Sequence, residues 1–150
     1  MNIQFPDNID INIFLQEYWQ RKPLLIRNAL GSEFCALGAN ELAGLATEAD
    51  MESRIVIEHG EKPWSLHHGP FSDEDFQDLP ASHWTLLVQD VDKFVPGIHE
   101  LLRGFTFLPD WRLDDVMISY AADQGSVGPH IDSYDVFLIQ AEGRRRWRIG

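Results

Sequence analysis

Apolar residues recur at helical spacing near the start of the chain. Phe14, Leu15, Tyr18 and Trp19 fall on one stripe, which predicts a helix over residues 13–21. Asp10 or Asn12 can cap its start and Pro23 blocks its continuation. Leu24-Leu-Ile-Arg27 is a short apolar strand by pattern, and Asn40 to Ala46 a capped helix. Arg54-Ile-Val-Ile-Glu58 alternates and is β-branched, which predicts a strand. Ser72-Asp-Glu-Asp75 has the start of a capping box, so a short acidic helix is expected after it. Trp84 to Gln89 and Asp115 to Tyr120 are strands by pattern, with a helix at residues 96–103 between them. Finally, Asp135–Gln140 and Arg144–Ile149 flank Ala141-Glu-Gly143, a spacing that suits a hairpin.

The order is mixed α and β at first, then strands in quick succession, with no repeat, low-complexity tract or linker. It predicts helices and strands over about residues 1–83 leading into the first strands of a β-sandwich or barrel over residues 84–150. Length and an apolar share of 44% favour one domain, or part of a larger one. Cys35 is the only cysteine, so neither an internal disulfide nor a zinc-type cysteine pair can form, which suits a reducing compartment. The first residues lack the basic start and apolar run of a secretion signal, and no apolar run approaches membrane-spanning length. A cytoplasmic location is expected.

Charge changes the picture. The net charge is −12, yet the last seven residues hold Arg144, Arg145, Arg146 and Arg148 and no acid. Residues 1–143 therefore carry 8 basic against 24 acidic groups, a net of −16. Such a body repels nucleic acid and attracts a basic polypeptide, though ordinary solubility also accounts for it.

Candidate chemistry concentrates in residues 125–150. His130 and Asp132 are two apart on an expected strand, so both side chains leave the same face. They amount to two thirds of the two-histidine, one-carboxylate set that holds non-haem Fe(II). Gly125, Gly128 and Pro129 before them suit a sharp entry and close approach of backbone to a ligand. The residues alone fit a structural histidine as well as a metal ligand. His59-Gly-Glu61 is a competing pair, expected at a strand end or turn with a surface role. The other histidines have no zinc-type spacing. On a strand, Arg145 shares a face with Trp147, which suits binding of a carboxylate by a guanidinium. Arg144, Arg146 and Arg148 would form an exposed or partner-facing stripe on the other side.

Gly128-Pro-His-Ile-Asp-Ser-Tyr-Asp-Val-Phe-Leu-Ile-Gln140, followed by Gly143-Arg-Arg-Arg-Trp-Arg-Ile-Gly150, resembles the JmjC-type ribosomal oxygenases. The likeness is to their bacterial branch, arginine hydroxylases acting on a large-subunit ribosomal protein. Tyr18-Trp-Gln-Arg-Lys-Pro-Leu-Leu-Ile26, Trp84-Thr-Leu-Leu-Val-Gln89 and Phe107-Leu-Pro-Asp-Trp-Arg-Leu-Asp-Asp-Val-Met-Ile-Ser-Tyr120 extend the match in the family's order. The resemblance implies a double-stranded β-helix of the cupin/JmjC type, here incomplete at its C-terminal end. It implies His130 and Asp132 as Fe(II) ligands, Arg145 as the partner of the distal carboxylate of 2-oxoglutarate, and Ser119 as a further contact to that co-substrate. A second histidine ligand is expected beyond residue 150, and the strand at 144–149 is expected to lack a partner on one edge. The implied substrate is a basic ribosomal protein. A homodimer is implied for the complete protein, with neither nucleic acid nor membrane as a direct partner. The alternatives are a catalytically inactive fragment or cupin-like module that binds a basic protein, a cupin metalloenzyme that uses no keto acid, and an RNA-binding protein using Arg144 to Arg148.

Overall fold

The computed structural model describes residues 3–31, 37–60 and 62–149. Cys35 lies outside the described residues, as does Glu61 of the His59-Gly-Glu61 pair. The chain divides into two compact units: residues 37–99 with 114–131, and residues 1–36 with 100–113 and 132–150. They are called here the sheet unit and the aromatic unit.

The sheet unit is built on four antiparallel strands, β1 (Ser53–His59), β2 (Lys62–His68), β3 (Trp84–Val88) and β4 (Ile118–Ala121), in the order β2-β1-β3-β4. β1 forms because three consecutive β-branched residues sit between polar flanks, and Gly60 at φ 66° turns it back into β2. In β3, Thr85 to Val88 are all buried, which accounts for a continuous apolar run rather than an alternating one. Ile55 pairs with Leu86, and both lie in a core with Leu42, Ala46, Met51, Phe71, Val88, Val91 and Ile98. Burying each large side chain of this set contributes about 1.5–3 kcal/mol. The Thr85 hydroxyl is buried in the middle of the sheet and has no hydrogen-bond partner among the described residues.

Short helices close this core. α2 (Ala39–Leu45) lays Leu42 on it, and Glu41 Oε2 accepts the Gly38 amide at 2.8 Å to cap its start; the one-turn α1 (Ile11–Ile13) belongs to the aromatic unit. α3 (Asp73–Gln77) has the expected capping box: Ser72 Oγ accepts the Asp75 amide and Asp75 Oδ2 accepts the Ser72 amide at 2.7 Å. These bonds hold the Asp75 carboxyl below its usual range, with the Ser72 amide the larger cause, its hydroxyl next, and His67 adding a weaker pull. α4 (Val91–Phe94) starts at Asp90, whose φ of 57° is left-handed, and α5 (Pro96–Leu102) follows. Lys93 Nζ donates to Asp90 Oδ1 at 2.6 Å, and this bond raises the Lys93 pKa.

Several expectations hold and others are corrected. The helix expected at 13–21 starts earlier, capped by Asp10, whose Oδ1 accepts the Ile13 amide at 2.8 Å. After α1 it widens into a π-helical turn at Phe14–Tyr18 and stops at Trp19, with Gln20 left-handed at φ 58°. Among the described residues the strand expected at Leu24–Arg27 pairs with no other strand: Leu25 is exposed and Asn28 turns the chain at φ 55°. β4 begins three residues later than its pattern suggests. The backbone before it is spent on α4, because Val116 donates to Asp92 Oδ1 (2.7 Å) and accepts from the Val91 amide (3.0 Å). β2 and α4 were not foreseen.

The hairpin expected at Asp135–Gln140 and Arg144–Ile149 is also corrected. Among the described residues neither segment has a ladder, although Gly143 turns the chain at φ 69°. High β-propensity favours an extended backbone, but a strand exists only where a neighbour takes up its hydrogen bonds. In the aromatic unit the segment is held by side chains instead. Phe137 stacks on Trp19 (centroids 5.4 Å apart, planes 14° apart) and touches Phe105 at 4.6 Å, with Phe14 and Phe107 around them. Gln20 Nε2 donates to Asp135 Oδ2 at 2.7 Å beside this stack.

Candidate metal and co-substrate site

In the sheet unit the antiparallel register puts His68, Arg54, Leu87 and Ser119 in one row across β2, β1, β3 and β4. Side chains in one row leave the same face of a sheet. Ser119 is exposed, on a strand that lies at the end of the sheet among the described residues.

Beyond β4 the chain makes a tight loop toward His130. The Ala122 amide donates to the Trp84 carbonyl at 3.1 Å and the Gly125 amide to the Ala122 carbonyl at 2.8 Å. A Cβ at Gly125 would strike the Trp84 carbonyl oxygen, so only glycine fits. Gly128 has φ 76° and rests on the Trp64 indole, where a Cβ would come within 3.1 Å of Cε2. The close backbone approach expected of these glycines is therefore real, and in this structure it is made to the sheet.

The His130 ring is exposed, with Nδ1 3.0 Å from the Gly128 carbonyl oxygen. A carbonyl oxygen only accepts, so Nδ1 is the donor where this contact is a hydrogen bond. A backbone carbonyl in this role is the usual way a metal-binding imidazole is given its tautomer.

Asp132 and Arg145 belong to the aromatic unit, so the structure assigns the His130–Asp132 pair to two compact units divided at Ile131. Asp132 is exposed. Arg145 is half-buried, and its guanidinium carbon lies 5.4 Å from the Trp147 ring centroid, so the side-sharing expected of these two residues is seen. Arg144, Arg146 and Arg148 are exposed.

The donor chemistry would suit a divalent iron in part: an imidazole and a carboxylate could supply two of the three protein donors of a facial set. Among the described residues no group of three His, Cys, Asp or Glu side chains is placed to hold a metal. The competing histidine is structural, since His59 ends β1 and its Nε2 lies 2.9 Å from Ser65 Oγ across the hairpin. Among the described residues no helix is long and apolar enough to cross a membrane. Sequence reasoning passed over Trp64, although its single large ring in a polar segment was a visible signal.

Residues 100–150 match the JmjC domain family. Over its whole length the chain is 42% identical to the ribosomal protein uL16 3-hydroxylase of Escherichia coli, covering 38% of that protein. It is also 42% identical over 145 residues to a probable ribosomal oxygenase of Haemophilus influenzae, covering 97% of this chain and 36% of that one. Among solved structures it resembles the E. coli ribosomal oxygenase YcfD in complex with cobalt and 2-oxoglutarate, with a TM-score of 0.78 and 37% identity over 89% of this chain and 35% of the other. The chain thus spans little more than a third of the length of the curated relatives it matches.

Proposed function

We propose, for a chain homologous along its whole length to the JmjC-type ribosomal oxygenases, that it carries the metal and co-substrate residues of an Fe(II)- and 2-oxoglutarate-dependent hydroxylase. The substrate in this reading is an arginine of a large-subunit ribosomal protein. The observation that supports it is the 42% identity over all 150 residues with a uL16 hydroxylase, in a chain that offers an imidazole, a carboxylate and a guanidinium at His130, Asp132 and Arg145. Residues 1–150 are read as the N-terminal part of one JmjC/cupin-like domain in a cytoplasmic protein that forms a homodimer when complete.

The residues divide the work as follows. His130, through Nε2, and Asp132, through its carboxylate, hold the metal, and a histidine from a later strand completes the set. Arg145 pairs by two N–H···O bonds with the distal carboxylate of 2-oxoglutarate, and its contact with Trp147 holds the guanidinium plane in place. Ser119 adds a hydrogen bond to the same co-substrate from β4. When bound, iron with 2-oxoglutarate supplies the oxidation itself: O₂ is consumed, the keto acid becomes succinate and CO₂, and one oxygen atom is inserted into a substrate C–H bond. The acidic surface draws in a basic target.

Asp132→Ala removes one of the metal donors. It is expected to weaken Co(II) binding, followed by visible absorption, by more than about 100-fold, beyond the loss caused by removing partners outside the ligand sphere. Iron-dependent succinate formation should vanish with it. Unchanged metal affinity in this variant would refute the assignment. A second reading is a cupin-like module that binds a basic protein without turnover. Succinate formation by the 150-residue chain would exclude it.

A further inference from the structure

The two units share the charge very unequally. The sheet unit holds 15 acidic and 3 basic residues, a net of −12, and the aromatic unit 9 of each. Within the sheet unit, β2 is bonded to β1 on one side and, among the described residues, to no strand on the other. It is a seven-residue edge, long enough to take an added strand, and it carries Trp64 (38% exposed) and Leu66 (53%) on one face. Carboxylates lie around it. Asp75 on α3 adds a carboxylate to the same unit. His68 lines an open depression of about 380 Å³ with Asp50, Glu52 and Gly69. The edge also adjoins the reactive loop, because Trp64 supports Gly128, two residues before His130.

We propose that the β2 edge docks an extended basic segment of the protein substrate by strand addition. The segment's backbone would bond to the unpaired edge, its apolar side chains would cover Trp64 and Leu66, and its lysines or arginines would meet Asp50, Glu52 and Asp75. This inference rests on the reading above only for the partner being a basic ribosomal protein. A second copy of this chain is the rival occupant, and the −12 charge of the unit opposes it, since two such edges would repel.

The test is binding of recombinant ribosomal protein uL16 to the 150-residue chain in EDTA, at 50 and 300 mM NaCl, with self-association measured alongside. Leu66→Lys, at an exposed position, should weaken binding about 10-fold or more by placing a like charge on the edge. The pair Asp50→Asn with Glu52→Gln should weaken it several-fold and flatten its salt dependence. Parental affinity in both variants overturns the proposal. So does a parent chain that fails to bind uL16, or a Leu66→Lys variant that changes only self-association. Because no metal is present, none of these outcomes bears on the His130 and Asp132 assignments, which the Co(II) titration decides separately.

Discussion

The sheet unit and the aromatic unit solve the same problem by different means. In the first, three antiparallel pairings take up the backbone hydrogen bonds of β1 and β3 on both sides, and an aliphatic core fills in behind them. In the second, residues 132–149 have no ladder among the described residues, and order comes from rings: Phe5, Phe14, Trp19, Phe105, Phe107 and Phe137. Ring pairs contribute about 0.5–1.5 kcal/mol each beyond their buried area, so one ring shared by four neighbours matters more than any single bond there. Phe137, with its four ring neighbours, and Asp135, which accepts from Gln20, tie the segment bearing Asp132 and Arg145 to this cluster.

That contrast is tested most severely at the anchor itself. Phe137→Ala should cost about 3–5 kcal/mol and open the amides of residues 132–149 to hydrogen exchange. Protection unchanged from the parent would show that rings do not hold this segment. In the sheet unit the informative change runs the other way. Thr85→Val removes a buried hydroxyl that has no partner among the described residues and should stabilise the chain by about 1 kcal/mol, read as a raised Tm. A loss of stability would mean that the hydroxyl is satisfied in solution. Smaller still is the cap of α3. Ser72→Ala should cost about 1 kcal/mol in denaturant unfolding. With the folded pKa of Asp75 depressed, its contribution is present above the usual carboxylate value of 3.8 and is lost as pH falls through the lower, folded value. Asp75→Asn should abolish that part of the acid dependence; an acid limb identical to the parent's would show that the capping carboxylate is not ionised there.

The two units also differed in how much their sequence disclosed. β1, β3, α3 and α5 were legible because each carries a local signal: β-branched alternation, a buried run, a Ser72–Asp75 box, or a proline start. β2 was hidden by Pro63 and the polar pair His67-His68, and α4 by a left-handed start at Asp90 that no pattern encodes. At Asp135–Ile149 the error was of the opposite kind. Propensity described the backbone of each segment alone, whereas a strand is a property of two. Within the site, the glycine signals at 125 and 128 and the shared side of Arg145 and Trp147 were readable from spacing. The assignment of His130 and Asp132 to different compact units was not, since it depends on contacts far along the chain.

Gly128 ties these levels together. Its carbonyl oxygen lies 3.0 Å from His130 Nδ1, while a Cβ added at its Cα would come within 3.1 Å of the Trp64 indole, so residue 64 borders the turn that presents the carbonyl to the ring. A methyl group at position 128 would crowd that indole at a backbone angle of φ 76° that side chains rarely adopt. The imidazole's contact would then be disturbed without a single atom of its own being altered.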